Sequence, residues 1–265
     1  MNKDILYNLK NIVSNEYLNI DVLGFISDNF NSRFPIQYYV MDNFINKDLY
    51  KSFENEMLKN IDFDIIDKRT NSFISNKSIL LNNKSFLKIY NFFISKDFEI
   101  FLSIIFKRHL KRYKKLDSKR IEELTNIKNS WVVQIYEKWD FMDWHTDISK
   151  DLNRDECILK WWYEEWDKCI VTEFDEVGAF IYYIYNSNDL WNYNNWWNLE
   201  LWKILNWDIN VYNKIKPLRN RLVFIKSSNA SYHRVSKLLK EWDYRITIQD
   251  LLFDKYSEIW NEILP

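Results

Sequence analysis

Two histidines and an aspartate set the first constraint on the chemistry open to this chain. His145 and Asp147 stand two apart in IYEKWDFMDWHTD, and His233 lies far downstream in SYHRVS. On a strand, residues two apart project from one face, so an imidazole and a carboxylate at this spacing can approach a common point. Two imidazoles and one carboxylate on one side of a divalent iron leave three positions open, the arrangement that non-haem Fe(II) oxygenases use for cosubstrate and oxygen. The motif alone has a plainer reading, a surface His-x-Asp pair with no metal. What strengthens the metal reading lies twelve residues beyond His233, where Arg245 opens YRITI with Thr247 two further on. A buried guanidinium beside a hydroxyl can hold a carboxylate in fixed bidentate geometry. A metal triad and a carboxylate clamp on neighbouring strands are hard to explain as coincidence.

These residues need a β framework, and the chain carries one. From residue 131 onward, WVVQIYE, GAFIYYIYN, LELWKIL, INVYNKI, NRLVFIK, SYHRVS and YRITIQDLLF alternate between clusters of Asn, Asp and Ser, which predicts antiparallel strands. Upstream, FPIQYYVMDNFI reads as a strand leading into the helical spacing of NKDLYKSFENEMLKN. A polar helical start is expected over 3–30, and two further helices over 97–128, DFEIFLSIIFKRHLKRYKK and then DSKRIEELTNI. The expected fold class is α+β, a double-stranded β-helix (jelly roll) core with packed N-terminal helices. With no Pro/Gly linker and no repeat, the expected organisation is an N-terminal helical extension over 1–33 and one domain over 34–256. Within that domain, helical support spans 42–128 and the jelly-roll core 131–253.

Composition narrows the partners. The chain has 265 residues, 47% of them hydrophobic, enough to bury a real core. A formal charge of -1 creates no overall field to recruit nucleic acid or an anionic membrane. The basic run KRHLKRYKK around His109 reads as a solvated helix face in preference to a nucleic-acid patch. Cys157 and Cys169 form no disulfide framework and lack zinc-site spacing, so free thiols in a reducing cytoplasm are expected. No apolar signal region or membrane span is legible, which points the same way.

At this point the sequence resembles a known family, the Fe(II)- and 2-oxoglutarate-dependent dioxygenases, in particular their prolyl-4-hydroxylase-like branch. FPIQYYVMDNFI resembles the family's opening strand, IYEKWDFMDWHTD its tyrosine, turn and iron motif, and FIYYIYN the strand after it. KPLRNRLVFIKSSNASYHRVS resembles the stretch carrying the distal histidine, and YRIT the Arg-x-Ser/Thr clamp. The resemblance implies an enzyme, a hydroxylase of aliphatic C–H bonds, with His145, Asp147 and His233 as ligands of Fe(II). Arg245 and Thr247 would bind the distal carboxylate of 2-oxoglutarate, and Tyr136 and Tyr183 match tyrosines that contact this cosubstrate. Tyr185, two residues on, is expected to share the face of Tyr183. The resemblance further implies O2 as the oxidant, ascorbate as an allowed reductant, and a peptide, protein or small-molecule substrate, with a prolyl or free amino-acid side chain as the family's precedent. Asp147 favours hydroxylation over halogenation, since family halogenases carry a small residue there. Residues 149–176 form a charged insertion that reads equally as a lid or as a plain surface loop.

The chain departs from the family pattern where that pattern has glycine. Trp139 stands in the turn before the iron motif, and Trp196 and Trp197 stand where a Gly-Gly pair is expected. The chain has 2 glycines and 13 tryptophans, and reading the tryptophans as glycine would bring glycine close to its ordinary share of about 7%. The composition fits UGA codons that the cell reads as glycine; the alternative is a set of genuine indoles lining a pocket. The codons at these positions and the intact mass of the native protein separate the two.

Overall fold

The computed structural model describes residues 9–60, 83–107, 110–111, 133–136, 142–145, 174–186, 198–205, 208–227, 231–236 and 245–255. Trp139, Trp196, Trp197, His109, both cysteines and residues 149–173 of the expected insertion lie outside them, whereas its last three residues, 174–176, are the start of a strand.

Ten strands form two antiparallel sheets among the described residues. The larger runs in the order β1 (Tyr38–Met41), β8 (Arg221–Lys226), β5 (Phe174–Asn186) and β10 (Arg245–Lys255). On the far side of β10, β3 (Val133–Tyr136) pairs with its first residues and β2 (Leu110–Lys111) with Phe253 and Asp254. The smaller sheet runs β4 (Met142–His145), β9 (Tyr232–Val235), β6 (Leu199–Leu205) and β7 (Asp208–Ile215). Leu199, Leu201 and Ile215 of the smaller sheet share one buried cluster with Tyr38, Tyr183, Val223 and Ile225 of the larger. The two sheets therefore face each other across a common interior.

Helices cover the other face of the larger sheet: α1 (Ile20–Ser32), α2 (Lys47–Asn60), α3 (Lys84–Phe93) and α4 (Lys96–Phe106). Their starts follow from their sequence. Asn83 accepts a hydrogen bond from the Phe86 N–H at the head of α3, and Ser95 accepts one from Phe98 at the head of α4, so each cap satisfies a donor that the first turn leaves open. Asp97 and Glu99 add negative charge where the helix dipole favours it. The apolar faces meet in an aromatic layer in which Phe93, Phe98 and Phe101 pack with Phe44, Phe180 and Tyr182.

Two helical expectations are corrected. The start over 3–30 is not one helix: Val13 bridges to Ile45, a 3-10 turn spans Asn15–Leu18, and α1 begins only after Asn19, whose side chain accepts the Asp21 N–H. The helix expected over DFEIFLSIIFKRHLKRYKK stops at Phe106. Lys107 takes a left-handed conformation (φ 52°) that ends the helix, and Leu110 and Lys111 leave to pair with β10. The 42–128 support thus contains a strand. The spacing argument also missed α3, where Asn83 followed by FLKIYNFF carries a cap and an apolar stripe.

Left-handed backbone is supplied without glycine. The positive-φ residues among those described are Asn43, Lys107 and Asn220. Asn220 does more than tolerate the conformation. Its Oδ1 accepts from the Ile45 N–H (2.7 Å) and from Tyr182 Oη (3.0 Å), and its Nδ2 donates to the Ile45 carbonyl (2.9 Å). One turn residue thereby ties the β1–α2 connection to β5. Gly178, by contrast, is required for space: a Cβ there would lie 2.5 Å from the Ile225 carbonyl oxygen and 2.8 Å from Phe106 Cε1. Gly178→Ala is expected to cost about 1–3 kcal/mol through overpacking, read as a lower denaturant midpoint; an unchanged midpoint would contradict this packing.

Candidate functional site

The smaller sheet brings two sequence-distant histidines together. In the β4·β9 ladder His145 is the direct partner of His233, and on the other side of β9 His233 pairs with Leu201 of β6. His233 is 6% exposed, and its Nδ1 lies 3.0 Å from the Ser231 carbonyl oxygen. A carbonyl can only accept, so Nδ1 carries the ring proton and the lone pair sits on Nε2. That is the tautomer a metal-binding imidazole needs, with its orientation fixed from behind. Asp147 lies outside the described residues, among which no group of three His, Cys, Asp or Glu side chains could hold a metal.

The larger sheet contributes a buried polar group on its inner face. Arg245 is 1% exposed, and Thr247 and Tyr183 are fully buried. Thr247 pairs directly with Tyr183 across β10·β5, and the Arg245 guanidinium carbon stands 5.4 Å from the Tyr183 ring centre. Tyr136 occupies the register position opposite Arg245 on β3. The Tyr183 hydroxyl is buried and finds no hydrogen-bond partner among the described residues. A buried hydroxyl without a partner is uncommon and costs free energy. Burial pushes its pKa above the ordinary tyrosine value, while Arg245 and Arg221 pull the other way. The group is therefore a neutral donor at physiological pH, set beside a guanidinium and a threonine hydroxyl. An anionic acceptor is the partner this environment fits.

The expectation that Tyr185 shares the face of Tyr183 is corrected. Ile246 pairs with Tyr185 but Thr247 pairs with Tyr183, so Ile184 is an extra residue on β5, a β-bulge. The extra residue turns Ile184 and Tyr185 outward into the helical layer, whereas Tyr183 stays in the inner cluster. Strict alternation cannot foresee a bulge, because both faces of β5 are apolar. Two further residues escaped the sequence reading, Arg221 and Asp42, which meet only because β8 and β1 are neighbours.

Fold and site together define an α+β protein of two facing antiparallel sheets, with a histidine pair on one and a buried arginine, threonine and tyrosine on the other. No family model matches the chain, and no curated protein matches it in sequence. Among solved structures it is similar to a prolyl hydroxylase from Trichoplax adhaerens, solved in complex with a hypoxia inducible factor oxygen degradation domain peptide fragment. The identity is 13% and the TM-score 0.48, over 89% of this chain and 90% of that one. A Pseudomonas putida prolyl-4-hydroxylase is similar at 12% identity and a TM-score of 0.44, over 88% and 93% of the two chains. A prolyl 4-hydroxylase from Phytophthora capsici is similar at 12% identity and a TM-score of 0.48, over 96% and 66%. These likenesses concern the course of the chain.

Proposed function

We propose that this chain is an Fe(II)- and 2-oxoglutarate-dependent dioxygenase that hydroxylates an aliphatic C–H. One arrangement carries the proposal: His145 stands opposite the buried His233 in the ladder, Leu201 beside His233 shares an interior cluster with Tyr183, and the Tyr183 hydroxyl, without a partner among the described residues, lies next to the buried Arg245 and Thr247. In it, His145, His233 and Asp147 hold the iron, and Arg245, Thr247 and Tyr183 receive the distal carboxylate of 2-oxoglutarate, with Tyr136 flanking them from β3. From β4 to β10 the chain passes back and forth between the two sheets, which supports a double-stranded β-helix core within a domain over 34–256. No helix among the described residues is long and apolar enough to cross a membrane.

Bound iron supplies the redox chemistry, in which O2 oxidatively decarboxylates 2-oxoglutarate to succinate and CO2 and the second oxygen atom enters the substrate C–H. The chain's own residues do the rest. The Ser231 carbonyl holds the His233 proton on Nδ1 and so leaves the ring's lone pair on Nε2. Arg245 neutralises the distal carboxylate in a site from which water is excluded, where a charge pair is strong. Tyr183 and Thr247 donate to its oxygens and fix its angle, which sets where the reactive end of the cosubstrate stands. The substrate class, a prolyl, peptidyl or free amino-acid side chain, rests on the resemblance of the motifs alone.

The test is succinate formation from 2-oxoglutarate with Fe(II) and O2, measured with a panel of peptides and amino acids. His145→Ala and Asp147→Ala should each abolish it. Iron binding with no turnover across the panel would instead indicate a catalytically silent binding protein. The tyrosine gives a sharper sign. Tyr183→Phe removes a hydroxyl that has no partner among the described residues, so the free protein should be as stable or up to about 1 kcal/mol more stable. Binding of 2-oxoglutarate should weaken by at least about tenfold, because a hydrogen bond to a charged group is lost. A destabilised variant with unchanged 2-oxoglutarate affinity would refute this role.

A further inference from the structure

Four side chains line up across the inner face of the larger sheet. Thr247 of β10 pairs with Tyr183 of β5, and Tyr183 pairs with Arg221 of β8. Asp42 follows Met41, the partner of Leu222 on β1. Arg221 is bound by its neighbours in a definite way: Nε and Nη2 both donate to the Asp42 carboxylate, the latter at 2.9 Å, and Nη1 donates to the Lys216 carbonyl at 2.8 Å. Its side chain is only 12% exposed, whereas Asp42 is 53% exposed. The Arg221 side chain is thus held in place on the strand beside Tyr183, on the side opposite Thr247, with its guanidinium on Asp42 and the Lys216 carbonyl.

We propose that Arg221, held by Asp42, is a positioning residue for the cosubstrate: it walls the Tyr183 ring from the β8 side and keeps its hydroxyl aimed at the ligand bound by Arg245 and Thr247. Directly opposed residues on antiparallel strands have Cβ atoms about 4.5–5.5 Å apart, so an Arg221 side chain tied down at its far end borders the Tyr183 side chain along its stem. The planar fork matters as much as the charge, because only arginine can satisfy the Asp42 carboxylate twice and a main-chain carbonyl at once. Lysine keeps the charge and loses the hold. This rests on Arg245, Thr247 and Tyr183 forming the carboxylate site.

The experiment is calorimetric binding of 2-oxoglutarate to the full chain loaded anaerobically with Mn(II), with thermal midpoints recorded in parallel. The expected result is a dissociation constant raised about tenfold in Arg221→Gln, within the range of coupling between contacting residues. Arg221→Lys should recover part of that loss and Asp42→Asn should weaken binding in the same direction. If Arg221→Gln does not fold, Arg221→Lys and Asp42→Asn decide the matter. Native affinity in the folded Arg221 and Asp42 variants, with Arg245→Gln still abolishing binding, would overturn the inference and leave the carboxylate site standing. Absence of 2-oxoglutarate binding by the unaltered chain would overturn both.

Discussion

His233→Ala is expected to lower Fe(II)-dependent succinate formation by more than about a hundredfold, since even the outer partners of metal ligands are worth 10–100-fold. The residue is nearly buried between Leu201 and His145, and the Ser231 carbonyl fixes its ring. Removing the imidazole therefore takes away the proposed ligand while leaving the main-chain ladder around it in place. The same variant should bind Mn(II) far more weakly while its thermal midpoint moves little. His233→Gln, which restores bulk but offers a poor metal donor, should not rescue turnover. Retention of metal affinity in either variant would show that the histidine pair does not hold the ion.

The largest effect on stability is expected at Phe93. Its ring lies 4.7 Å from Phe98, 4.7 Å from Tyr182 and 5.6 Å from Phe180, and the residue is fully buried. It joins α3 to the outer face of β5, one residue from Tyr183 on the inner face. Phe93→Ala should cost about 3–5 kcal/mol from lost transfer energy and the cavity left behind, a large share of the roughly 5–15 kcal/mol that holds a domain together. Denaturant unfolding measures it, and a loss below about 1 kcal/mol would mean that the helical layer is not packed on the sheet. At temperatures where the variant is folded, 2-oxoglutarate affinity should fall as well, because Tyr182 and Tyr183 are consecutive.

The strands from β5 to β10 were legible because their apolar residues alternate between polar clusters, and the two-residue spacings of His145 with Asp147 and Arg245 with Thr247 already implied shared faces. Side-chain period is a local property that any strand must express. What stayed hidden was set by partners distant in sequence. The end of α4 depends on where Leu110 finds β10, and the break before α1 on Val13 meeting Ile45. The separation of Tyr183 from Tyr185 depends on how many residues of β5 oppose Ile246 and Thr247. The pairing of Arg221 with Asp42 spans 179 positions, and nothing in the two stretches that contain them links one residue to the other. Left-handed backbone in the described chain falls to Asn43, Lys107 and Asn220 in place of glycine, and Asn220 adds bonds that glycine could not make.

The bulge at Ile184 carries a consequence for how the protein can change over generations. The ladder from Thr247 to Leu252 keeps its register with Tyr183 to Gly178 whether or not the extra residue is there. A codon gained or lost at 184 would alter the length of the chain while leaving Tyr183 opposite Thr247 and Asn186 free to remain opposite Arg245. The strand that holds Tyr183, the tyrosine proposed to bind the carboxylate, can thus absorb insertions and deletions, and relatives of different length at this point would carry the same constellation.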